Sequence, residues 1–145
     1  MIDAGGLISV RKRAFVTKPE SEIDALIADL DHHDKPTIRA AVDALLQLAG
    51  QSADLRALLC ERLTQPGKKN YWPVAYILGQ LPSPNDTVVR VLLDTLDHQE
   101  PDIRWAVALL LVRLAKNDDT QINRLIELSA NGTANQKRMA LYCIR

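Results

Sequence analysis

Apolar residues return along this chain in a step of thirty-three. Leu26, Leu59, Leu92 and Leu125 hold one column of the comb, and Ile27, Cys60, Leu93 and Ile126 hold the next. A third column reads Ile23, Arg56, Val89 and Ile122. A fourth reads Leu30, Leu63 and Leu96, with Ser129 breaking it. A fixed period of this size is the signature of a repeat architecture, in which one unit is too small to bury its own apolar face and has to lean on the next. Within a unit the spacing is helical: Ile23, Leu26, Ile27 and Leu30 lie three, one and three residues apart, the stripe of an amphipathic helix.

Each unit is predicted to hold two helices. The first begins near Ser21, where a capping side chain precedes acidic residues. After a polar break at Asp31 to Lys35, Pro36 opens a second helix striped by Ile38, Ala41, Val42, Leu45 and Leu48, and Gly50 stops it. The second unit runs from about Asp54 to Leu63, turns at Pro66-Gly67, and continues through Tyr71, Val74, Ala75, Leu78 and Leu81 until Pro82 ends it. The third has Asn85 to Thr87 as its cap region, a helix from Val88 to Asp97, and a helix from Asp102 to about Lys116 after Pro101. In the fourth, Asp118-Asp119 leads into Gln121 to Ser129, Asn131-Gly132 turns the chain, and a last helix starts near Asn135. Residues 1–18 do not fit the repeat and read as an N-terminal extension or cap, which leaves 19–145 as the repeat domain.

Composition narrows the class. Of 145 residues, 47% are hydrophobic and 25% charged, the balance of a globular chain and not of a disordered one. Aromatics at 4% leave the core to Leu, Ile, Val and Ala, which suits close helix packing. Eighteen basic residues offset eighteen acidic ones, so no global charge drives the chain onto nucleic acid or anionic lipid. The longest apolar run, Trp105 to Val112, is far too short to span a bilayer, and Met1 to Leu7 lacks the pattern of a secretory signal. Cys60 and Cys143 sit on apolar columns and read as buried free thiols, which fits a reducing cytoplasm.

The first and third units superpose in sequence. Leu30-Asp31-His32-His33-Asp34-Lys35-Pro36-Thr37-Ile38-Arg39 matches Leu96-Asp97-His98-Gln99-Glu100-Pro101-Asp102-Ile103-Arg104 with one extra residue in the first turn, and Ala41-Val42 and Ala106-Val107 follow. The segments Pro36 to Leu45 and Pro101 to Val107 resemble the second-helix signature of HEAT repeats, in particular the short bacterial type of phycobilisome lyases. The resemblance covers Pro19 to Arg145. It weakens in the second unit, where Tyr71-Trp72 replaces the Ile-Arg pair, and in the fourth, where Gln136-Lys137 does. It implies an all-α, right-handed superhelix (solenoid) of about four HEAT-like helix pairs, with second helices lining a concave side.

The resemblance specifies architecture far more than activity. It implies that Arg39 and Arg104 tie to an acidic residue of a neighbouring turn, with Asp31, Asp34, Asp97 and Asp102 as partners. His32, His33 and His98 fall in turns beside acidic residues, but adjacent His32 and His33 are expected to point apart as solvated turn residues. The chain has no His-Glu dipeptide, so it lacks the iron ligands of deoxyhypusine hydroxylase, a HEAT-like enzyme. It is shorter and less basic than HEAT-like alkylpurine glycosylases. No nucleophile–base pair, Gly-rich phosphate loop or CxxC motif occurs, so no catalytic, cofactor or metal residue is assigned.

The expected function is non-catalytic: a scaffold or adaptor module that binds another protein through its concave face, with Arg39, Asp43, Trp72, Arg104 and Trp105 as contacts. Leu109 and Val112 fall off the stripe of their helix and mark a face that is either covered or offered to a partner. The last helix, striped by Met139, Ala140, Cys143 and Ile144, has no polar outer unit beyond it, which points to docking or self-association. Two alternatives stand beside this reading. One is an accessory subunit of a tetrapyrrole (bilin) lyase-type enzyme, as the resemblance implies. The other is nucleic-acid binding through Arg11-Lys12-Arg13.

Overall fold

The computed structural model describes residues 20–65, 71–116 and 118–145, and among these it shows eight α-helices and no strand. They are α1 (Glu20–Asp29), α2 (Lys35–Ala49), α3 (Ala53–Leu63), α4 (Trp72–Gly79), α5 (Asp86–Thr95), α6 (Pro101–Ala115), α7 (Asp119–Asn131) and α8 (Ala134–Ile144). The all-α class read from the periodicity is therefore present. No helix among the described residues is long and apolar enough to cross a membrane. The boundary between extension and repeat domain, Arg11 to Arg13 and Pro66-Gly67 lie outside the described residues.

Local chemistry explains most helix starts. Asp34 accepts from the Thr37 amide (3.1 Å) and hydroxyl (2.7 Å) and caps α2. Ser52 caps α3 through the Leu55 amide, and Asn85 caps α5 through the Val88 amide. Asp118 caps α7. Thr133 and Gln136 form a reciprocal capping box at the start of α8. One start differs from expectation, and another lacks a capping bond. Ser21 lies inside α1 and does not cap it. At α6, Glu100 occupies the cap position without a side-chain capping bond. Helix α4 ends at Gly79, earlier than the predicted Leu81, because Ser83 between two prolines takes a left-handed φ of 55° and turns the chain.

The chain divides into two compact units, the first ending at Leu78 and the second running from Gly79 to Arg145. In the first unit α1 packs on α2, and α2 on α3. Its core holds Ile23, Ile27, Leu45, Leu55 and Leu59. The Arg56 side chain donates to the Ala49 carbonyl at 2.6 Å and so satisfies the end of α2. That explains why a charged residue can occupy an otherwise apolar column.

In the second unit α6 is central and touches α5, α7 and α8, while α7 and α8 form a closely packed hairpin. Val88, Leu92, Leu96, Val107, Leu111 and Leu125 are buried there. Polar clasps join the two helix pairs. Asp86 at the start of α5 accepts from Arg124 of α7 and also pairs with Arg90 at 2.9 Å. The Thr133 hydroxyl donates to Asp97 at 2.8 Å. Gly132 is required by space: a Cβ there would stand 2.7 Å from the Leu128 carbonyl oxygen.

Not every comb position is covered. Leu59, Leu92 and Leu125 are buried, but Leu26 is only half-buried and Ile126 is 49% exposed. Cys60 and Cys143 are half-buried, a correction to their expected burial.

Leu92→Ala is expected to lower unfolding free energy by about 2–5 kcal/mol, since the side chain is fully buried and its removal leaves a cavity. Urea denaturation followed by circular dichroism measures this. The Arg124 guanidinium holds the Asp86 carboxyl below its ordinary value of 3.8. Stability from a carboxyl lowered in this way is complete above the unfolded value and is lost as pH falls through the folded one. The melting temperature should therefore drop as pH falls below 3.8, and Asp86→Asn should flatten that drop.

Candidate functional site

The uncovered apolar surface gathers on α6 and α8. Trp105 is 44% exposed, Leu109 58% and Tyr142 40%. Trp105 and Leu109 stand one turn apart on α6, and the Tyr142 ring from α8 meets the Trp105 indole edge-on, with centroids 4.6 Å apart and planes at 90°. A hydrogen bond from the Cys143 thiol to the Ala108 carbonyl (3.6 Å) crosses the same seam. The opposite side of α6 is fully used: Ile103, Val107, Leu110 and Leu111 are all buried. The nearly all-apolar helix thus resolves into a packed side and a wet side.

At the far end of the seam lies a cleft of about 220 Å³ lined by Val112, Ala115, Ile122, Leu125, Cys143 and Ile144, with Lys116 and Arg145 also on its wall. Burial pushes the Cys143 thiol up to about 11. The thiol on this cleft is therefore held in its neutral form at ordinary pH.

The predicted contacts separate. Arg39 and Asp43 stand one turn apart on α2 in the first unit, both exposed, and make no ion pair with each other. Trp72 opens α4 half-buried, edge-on to Tyr76 with centroids 6.4 Å apart. Arg104 and Trp105 lie in the second unit. Arg104 is half-buried and does not tie to an acidic residue as expected. Its guanidinium donates to the carbonyls of His98 (2.6 Å) and Gln99 (3.2 Å), closing the turn that leads into its own helix. The open carbonyls of that turn take the guanidinium in place of a carboxylate, and Arg104 braces the turn. Arg39, which follows a turn longer by one residue, makes no such bond.

The histidine turns also differ from expectation. His32 and His33 do not point apart; their rings stack with centroids 4.5 Å apart and 19° between planes. His32 accepts from the Asp34 amide through Nδ1 at 3.0 Å, and His98 accepts from the Glu100 amide in the same way at 3.0 Å. The shared bond fixes both turns. Among the described residues no group of three His, Cys, Asp or Glu residues gathers for a metal ion.

Tyr142 is the residue that sequence reasoning missed. Its signal was faint: it falls off the Met139–Ala140–Cys143–Ile144 stripe, as Leu109 falls off that of α6. Only the approach of α8 to α6 brings the two outliers into one surface. No family model, no curated protein and no solved structure matches the chain.

The raised Cys143 value leaves on the order of a hundredfold less thiolate than an ordinary cysteine at the same pH. Iodoacetamide at pH 8 should alkylate Cys143 correspondingly slowly in the folded protein and at the ordinary rate in urea, as read by peptide mass spectrometry.

Proposed function

We propose that this protein is a non-catalytic binding module, a HEAT-like stack of helix pairs that docks another protein through the exposed face of α6 and α8. The observation that carries the reading is the cluster of Trp105, Leu109 and Tyr142. Three large apolar side chains share one wet surface beside a helix side that is otherwise fully packed. Aromatic anchors of this kind give large contact area at low cost in side-chain entropy. A helical floor fixed by buried leucines holds them in place, so association orders little else. Support for the stack comes from the thirty-three-residue comb, whose members Leu59, Leu92 and Leu125 are all buried. In a HEAT-like stack the second helix of each pair lines the inner side, and α6 and α8 are such helices.

The chemistry of the surface favours binding over catalysis. Arg104 is spent on its own turn, His98 Nδ1 accepts a backbone amide, and burial raises the Cys143 thiol to about 11.

Wild-type protein immobilised against a lysate of its native host should retain a set of proteins that a Trp105→Ala, Leu109→Ala variant of equal helicity retains at least tenfold less. Quantitative mass spectrometry of the two eluates decides the matter. Identical protein sets at identical levels would refute the reading.

A further inference from the structure

The pattern that organises the chain leaves one face of its last helix pair bare. Leu93 on α5 and Ala108 and Leu111 on α6 belong to a surface that α8 covers. The Gln136 side chain donates to the Leu93 carbonyl at 3.4 Å, and the Cys143 thiol donates to the Ala108 carbonyl at 3.6 Å. Leu93 is half-buried there, and Ala108 and Leu111 are fully buried. Thirty-three residues on, the same three positions are Ile126 on α7 and Leu141 and Ile144 on α8. These are 49%, 48% and 38% exposed. The second unit thus stacks a helix on these positions once and then presents their counterparts to solvent.

We infer that the outer face of α7 and α8 pairs with the same face of a second copy of this chain. This goes beyond the protein-binding reading, which concerns the side of α8 where Tyr142 meets Trp105. Two observations select the occupant. Positions of this pattern already receive a helix of the last pair within the second unit, and the bare face belongs to that pair, so each copy supplies the other with what α5 and α6 receive. The charges beside the face are also self-complementary. Glu127 follows Ile126 on α7, while Lys137 and Arg138 stand one turn before Leu141 on α8; all three are exposed, and none forms an ion pair with a described residue. The neighbouring Arg124 of α7 is held by Asp86, and α8 contains no acidic residue. Asp97 and Asp102 belong to the layer behind, where Asp97 accepts from the Thr133 hydroxyl. Glu127 and Lys137 flank the turn at Gly132 at equal distances along the chain, so they stand at one level of the hairpin. A two-fold axis running along the hairpin lays α7 on α8 of the other copy. It sets apolar residue on apolar residue and puts Glu127 opposite Lys137 and Arg138 twice over. An axis that laid α7 on α7 would oppose like charges.

Analytical ultracentrifugation of the full chain tests this. Wild-type protein should show twice the mass of one chain at ~200 µM, where a dissociation constant as weak as about 100 µM leaves most chains paired. Leu141→Glu should raise that constant at least tenfold with an unchanged circular dichroism spectrum, since the side chain is already half exposed in the single chain. Glu127→Lys alone, and Lys137→Glu, Arg138→Glu alone, should each weaken pairing. Mixing these two variants should give mixed dimers, read by native mass spectrometry. Wild-type protein that stays a single chain at the same concentration would overturn the inference. So would a dimer that Leu141→Glu leaves intact and Trp105→Ala, Leu109→Ala breaks. A mass that keeps growing with concentration, as head-to-tail stacking demands, or a charge-swapped mixture without mixed dimers would overturn the two-fold pairing.

Discussion

Helices of 8 to 15 residues do not hold their shape alone in water, because so short a run of backbone bonds barely offsets the cost of nucleation. This protein depends on the apolar seam that such helices share. In the second unit Leu92, Leu111 and Leu125 come from three different helices, and none of them is more than 1% exposed. Removing water from side chains of this size contributes roughly 1.5–3 kcal/mol each. The caps and clasps matter through that seam. Asp86 with Arg124, and Asp97 with Thr133, set the distance at which the leucines meet.

The same constraint produces the surface. A helix that must pack on α5, α7 and α8 at once uses most of its circumference, and α6 does so. Apolar residues on the remaining side have no neighbour to cover them. Trp105 finds partial shelter against Tyr142, while Leu109 finds none. The polar groups nearby are committed elsewhere: Arg104 and His98 are both occupied with the backbone of the 98–100 turn. The face therefore combines rigid support with exposed apolar area.

The two histidine turns show how one local solution serves different surroundings. In each, an imidazole nitrogen accepts the amide two residues on, which stops the preceding helix and aims the chain into the next. In the 98–100 turn Arg104 adds a second lock. In the first, the extra residue is Lys35 between the cap and the proline, the His33 ring stacks on His32, and Arg39 is left exposed. One residue of turn length thus separates a structural arginine from a solvent-facing one.

The helices, the cap regions at Asn85 and Asp118, and the stripes that feed the core were legible in the sequence, because capping and periodicity act within a few residues. The comb foretold burial at Leu59, Leu92 and Leu125, but it could not tell that Leu26 would be half-buried or Ile126 exposed. A column records that a position faces inward in a generic unit; whether something lies there depends on which neighbour is present. The partner of Arg104, the stacking of His32 on His33, and the meeting of Trp105 with Tyr142 were likewise settled by tertiary structure. Each depends on distances of a few ångströms set by packing and turn geometry, and the pattern of residue types along a single helix does not carry such distances.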